Sequence, residues 1–145
     1  MANMLLLDVE KQELREVECN SLDDYYKEID CRCIDIKEVF VVNCRTKKDM
    51  YIDVIYDDEF LLTNNRNNRK IPSVLYITER NSLETFLLGN VIFARHNKDG
   101  EIESLSDEQM EFIKSCMENI PFEVIDEITN IRIKMNCKMF VVSLR

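Results

Sequence analysis

A chain of 145 residues, 46% apolar and 32% charged, is long enough for one domain with a real core, and its two glycines and two prolines leave little room for linkers. Its formal net charge of −9 repels a phosphate backbone, which disfavours direct recognition of nucleic acid. No apolar run approaches the roughly 18 residues of a membrane span, and the opening MANMLLLDVE lacks a basic n-region, so neither a membrane anchor nor a signal peptide is expected.

Met4–Val9 reads as a strand, Glu10-Lys11-Gln12 as a polar turn, and Glu13–Cys19 as the return strand of a hairpin. Ser21, with Asp24 three residues on, predicts an acidic capping box opening a short helix over Leu22–Ile29. Over Cys33–Val42, Ile34 and Ile36 alternate with Asp35 and Lys37 before the pattern turns continuously apolar. That switch suits a strand whose far end is covered on both faces. A basic turn, Asn43–Asp49, leads into a strand over Met50–Tyr56. Asp57-Asp58-Glu59 makes a tight acidic turn, after which Phe60-Leu61-Leu62 is placed to return as an antiparallel strand. Asn64–Lys70 is the most polar loop, Ser73–Thr78 a further strand, and Asn81–Leu87 a helical turn or plain loop.

The densest local signals lie in Leu88–Ile120. Val91, Ile92 and Phe93 form a buried-strand pattern, and Asn97-Lys98-Asp99-Gly100 carries the Asp-Gly hairpin signal. Ser106 and Gln109 have capping-box spacing, and Met110, Ile113, Met117 and Ile120 recur at helical spacing. Pro121 is expected to stop that helix. Phe122–Ile128 and Ile131–Val142 then read as a hairpin around Thr129-Asn130. Arg132, Lys134 and Lys138 alternate with Ile131, Ile133 and Cys137, as on a half-exposed edge strand, and Glu123, Asp126 and Glu127 supply opposite charges on the other arm. The expected fold is α+β: a mostly antiparallel sheet, one short and one longer amphipathic helix, and a C-terminal hairpin. It forms a single domain over 1–145, with a core over 4–117 and a C-terminal extension over 121–145.

The chemistry-bearing residues are sparse. His96 is the sole histidine, so schemes that need two are excluded. It could act as base for a cysteine nucleophile, although its place beside the Asn97–Gly100 turn reads more simply as surface. Six cysteines without a secretory signal suit a reducing cytoplasm and free thiols. Cys19, Cys31, Cys33 and Cys44 lack the paired C-x₂₋₄-C spacing of a zinc site. Asp53, Asp57, Asp58 and Glu59 supply oxygen ligands for a divalent cation, but no glycine-turned calcium loop holds them. No P-loop, G-x-S-x-G or H-E-x-x-H motif occurs. No catalytic residue, metal or cofactor is therefore assigned. The remaining clusters suggest binding. Asp57, Asp58, Glu59, Glu101, Glu103, Asp107, Glu108 and Glu111 compose an acidic partner-binding face, part of which compensates a helix dipole. Arg66, Arg69 and Lys70, with Tyr51, Tyr56 and Tyr76, are the alternative, a set for phosphates and bases.

Several stretches resemble a known family. They are Asp99-Gly100-Glu101, then S-L-S-D-E-Q over Ser104–Gln109; MLLLDVEKQELREVEC followed by a short helix and Ile34-Asp35-Ile36; Asp57-Asp58-Glu59 with Asn65-Arg66; and Leu88-Gly89-Asn90-Val91. Together they resemble the bacterial and phage domain-of-unknown-function family 3846, over roughly Met4–Met117. The chain departs from that pattern at Cys31-Arg32-Cys33, where the family has Gly-Gly, and at Phe60, where it has glycine. The insert Arg45–Lys48 and the tail after Pro121 have no counterpart. The resemblance implies a phage, plasmid or conjugative-element context near anti-restriction genes, and carries over no catalytic residue. The expected function is a non-catalytic acidic accessory protein that inhibits a host defence nuclease, of anti-CRISPR or anti-restriction type, by direct protein binding. The alternative is a sponge for a nucleotide immune signal. The expected partner is a host defence protein with a basic channel, with no direct nucleic acid and no membrane. Homodimerisation by pairing of the basic C-terminal strand is left open.

Overall fold

The computed structural model describes residues 3–42, 49–58, 71–77, 83–125, 129 and 132–143. The predicted basic turn Asn43–Asp49, apart from Asp49, which begins β4, the return strand over 60–62 and the polar loop over 64–70 lie outside these residues, as do Glu59, Asp126 and Glu127. Among the described residues are β1 (Met4–Asp8), β2 (Glu13–Val17), α1 (Leu22–Ile29), β3 (Ile34–Val42), β4 (Asp49–Asp57) and β5 (Pro72–Ile77). They are followed by β6 (Leu83–Leu88), β7 (Val91–His96), β8 (Ile102–Glu103), α2 (Asp107–Ser115), β9 (Met117–Ile125) and β10 (Arg132–Ser143). The class is α+β with mostly antiparallel pairing. No helix among the described residues is long and apolar enough to cross a membrane.

The strands form two sheets. The first runs β2-β1-β7-β4-β3, with β8 hairpinned onto β7; the second runs β6-β5-β10-β9. Every residue of β1 is buried because both faces of the first sheet are covered. Leu5 and Leu7 join Val39, Ile52, Val54, Val91 and Phe93 on one face, against Val74, Leu87 and Phe140 of the second sheet and Met110 and Ile113 of α2. Met4 and Leu6 join Ile55, Ile92 and Ala94 on the other, beneath Tyr25 and Ile29 of α1. A strand covered on both sides reads as an unbroken apolar run, as Met-Leu-Leu-Leu does. Phe93 and Phe140 meet edge to face with centroids 5.0 Å apart, joining the sheets at the centre of the core.

Both helix starts follow their caps. Ser106 accepts from the Gln109 amide at 3.1 Å and Gln109 Oε1 accepts from the Ser106 amide at 2.9 Å, the reciprocal box. At α1 the Ser21 hydroxyl accepts from the Asp24 amide, while Asp24 reaches one residue further back, to the Asn20 amide at 2.8 Å. The Asp-Gly turn closes the β7–β8 hairpin, with Gly100 at φ 81°, a conformation that favours glycine.

Two expectations are corrected. Leu83–Leu88 is a strand, β6, paired antiparallel to β5, rather than a helical turn or loop. The helix from Ser106 ends at Ser115. Met117, Ile120 and Pro121 lie in β9, where pairing with β10 overrides the helical periodicity. Pro121 is tolerated because β9 is an edge strand of its sheet, with ladder partners on one side only among the described residues. β10 pairs antiparallel with β9 over Arg132–Phe140 and parallel with β5 only over Phe140–Ser143, so its basic residues Arg132, Lys134 and Lys138 have a ladder partner on one side among the described residues.

Candidate functional site

Three adjacent strands bring together side chains far apart in the chain. Glu38 of β3 is in register with Asp53 of β4, and Asp53 with Ala94 of β7. Alternate residues of a strand share a face, so His96, two beyond Ala94, joins Glu38 and Asp53. Asp53 is 2% exposed. Its Oδ2 lies 2.8 Å from His96 Nδ1, while His96 Nε2 lies 3.6 Å from Glu38 Oε2. A buried carboxylate needs a charged or hydrogen-bonding partner, and the imidazole supplies it. The hydrogen bond to Asp53, reinforced by its charge and opposed by desolvation, raises the His96 pKa above its ordinary value; Glu38 and Glu103 add to the shift.

An open cleft of about 430 Å³ lies over this cluster, lined by residues that include Glu38, Tyr51, His96, Glu108 and Gln109. The buried Gln109 fixes the cleft wall: its Nε2 donates to the Tyr51 carbonyl at 2.8 Å and so ties the start of α2 to β4. Tyr51 itself is 54% exposed. A second groove, of about 510 Å³, runs between the start of α1 and β8. Met4, Tyr25, Ile102 and Leu22 give it an apolar floor, and Glu101 and Glu103 stand at its rim. Leu22 is 58% exposed there. The two clefts are linked by the ion pair between Arg95, which lines the first, and Glu103, which lines the second, at 3.2 Å.

The predicted acidic face divides. Glu101 and Glu103 meet at the groove rim, and Glu108 joins Glu38 in the first cleft. Asp107 and Glu111 are exposed on α2. Asp57 is buried in β4 instead of turning in solvent, and Asp58 is exposed just beyond it. Four residues of strand, roughly 13 Å, separate Asp57 from Asp53, so these carboxylates do not form one cation site. Glu59, Arg66, Arg69, Lys70 and Cys44 lie outside the described residues. His96 ends β7 beside the Asn97–Gly100 turn and is exposed, and no cysteine lines its cleft among the described residues. Cys19, Cys31 and Cys33 form no three-ligand cluster among the described residues. Sequence reasoning missed the joining of Glu38, Asp53 and His96. The one local signal was a carboxylate inside the apolar run Tyr51–Tyr56.

The family's profile matches residues 1–118. The chain belongs to the domain-of-unknown-function family DUF3846. The DUF3846 region contains the whole of the first sheet, both helices, and every residue of the His96 cluster and the groove. It stops within β9, so β10 lies beyond it. No curated protein and no solved structure matches the chain.

Proposed function

We propose that this DUF3846 protein is a non-catalytic accessory protein of a phage or other mobile element. It acts in the host cytoplasm, binding and inhibiting a nucleic-acid-handling enzyme of host defence, of CRISPR or restriction type. The observation that carries this reading is the groove between α1 and β8: an apolar floor with Leu22 left in solvent, and carboxylates at the rim. Such a surface suits a basic, partly apolar segment of a partner that otherwise handles a phosphate backbone. The apolar floor supplies affinity, and the acidic rim, on a chain of net charge −9, steers encounter.

The test is a pull-down with tagged protein from cells carrying several defence systems, followed by calorimetry on any nuclease recovered. Binding is expected to weaken with salt. It is also expected to fall at least about tenfold, or roughly 1.4 kcal/mol, in Leu22→Asp and in the Glu101→Lys/Glu103→Lys double variant. A nuclease bound equally well by both variants would place the interface elsewhere and overturn this reading. The sponge alternative has less support, because the cleft beside Tyr51 carries Glu38 and Glu108, whose charge opposes a phosphate, and its Arg95 is paired with Glu103. Tyr56 donates its hydroxyl to Asp35 at 3.2 Å.

A further inference from the structure

The Glu38–Asp53–His96 cluster is not used by the protein-binding reading, and its geometry is specific. Asp53 lies on the central strand of the three, buried, and as a carboxylate it can only accept. His96 Nδ1, at 2.8 Å, must therefore be the donor. That bond fixes the ring's tautomer and orientation and leaves Nε2 directed away from Asp53. On that side stands Glu38, with Oε2 at 3.6 Å. The separation exceeds the 2.7–3.2 Å typical of an N–H···O hydrogen bond. It is close to the roughly 3.4 Å between two ligand atoms that each lie about 2.1 Å from a tetrahedral metal ion. A carboxylate holding a histidine from behind, so that its other nitrogen faces a metal, is a general arrangement of metal sites.

We infer that Glu38 and His96 bind a divalent first-row transition-metal ion, through the Glu38 carboxylate and His96 Nε2, with Asp53 as the positioning residue behind the imidazole. The ligand set favours zinc, with cobalt as its spectroscopic substitute, over magnesium, calcium or manganese, because imidazole nitrogen suits the former. The site opens on the cleft of about 430 Å³, where water completes the coordination and Glu108 on the wall adds negative charge. His96 keeps 37% of its side chain exposed and Glu38 keeps 49%, so an ion can enter without unfolding the strands.

The chain's single histidine makes the test direct. The tag-free full chain, kept reduced, is titrated with zinc chloride by calorimetry, while the imidazole nitrogens are followed by ¹⁵N NMR; cobalt chloride provides an absorption spectrum. One equivalent of zinc is expected to shift Nε2 while Nδ1 keeps its proton, and cobalt is expected to give d–d bands without thiolate charge transfer. Glu38→Gln, a surface change that leaves the fold in place, should weaken binding at least tenfold. Asp53→Asn should weaken it about 10- to 100-fold, and His96→Gln should abolish it. Zinc that leaves both imidazole nitrogens unmoved overturns the inference, whether because nothing binds or because thiols take the ion. So does undiminished affinity in folded Glu38→Gln, which would leave a simple histidine–carboxylate ion pair.

Discussion

Replacing Gln109 tests whether the start of α2 is held to the first sheet by one side chain. Gln109 is buried and makes two bonds, accepting from the Ser106 amide at 2.9 Å and donating to the Tyr51 carbonyl at 2.8 Å. Each is worth about 0.5–1.5 kcal/mol net, so Gln109→Ala is expected to cost about 1–3 kcal/mol. A loss of about 2 kcal/mol in a chain of this size lowers Tm by roughly 4–8 °C. Urea unfolding followed by circular dichroism gives the free energy directly. Gln109→Glu separates the two bonds. Its carboxylate still accepts from Ser106 but offers no proton to Tyr51, so two oxygens would face each other. The reasoning is refuted if Gln109→Ala stays within about 0.5 kcal/mol of wild type, or if Gln109→Glu matches wild type at neutral pH.

Two further stability predictions follow from the core and from Asp8. Burial works against the Asp8 carboxylate, but the Arg15 guanidinium at 2.8 Å and the amides of Lys11 and Glu10 outweigh it and hold its pKa below the ordinary value. The stability it contributes is complete above the unfolded carboxyl's pKa, about 3.9, and is lost as pH falls through the lower folded value. Asp8→Asn should therefore flatten the acid limb of a stability–pH profile, and an unaltered limb would refute this. Phe140 is 1% exposed and stacks edge to face on Phe93. Phe140→Ala should cost about 3–5 kcal/mol by chemical denaturation, a large share of a typical 5–15 kcal/mol. A loss under 1 kcal/mol would mean that β10 is not integral to the core.

The sequence by itself determined what depends on neighbours within a few residues. Ser21 and Ser106 placed both helix starts because a cap acts on amides two or three residues away. Asp99-Gly100 placed the β7–β8 turn, and Met4–Val9 read as a strand, while the cover on both of its faces came only with the second sheet and α1. Local pattern failed where a partner distant in the chain decided the outcome. Met117 and Ile120 keep helical spacing, yet β10 draws them into a ladder. Leu83–Leu88 has no clear alternation, yet β5 gives it a strand's partners. The site was legible only in fragments. Asp53 showed as a carboxylate in an apolar strand and His96 as a lone histidine, but neither their pairing nor the part of Glu38 could be read. Strand register is set by packing over the whole sheet. Only the order β7-β4-β3 brings residues 38, 53 and 96 onto one face and leaves open the end of that face beyond α1.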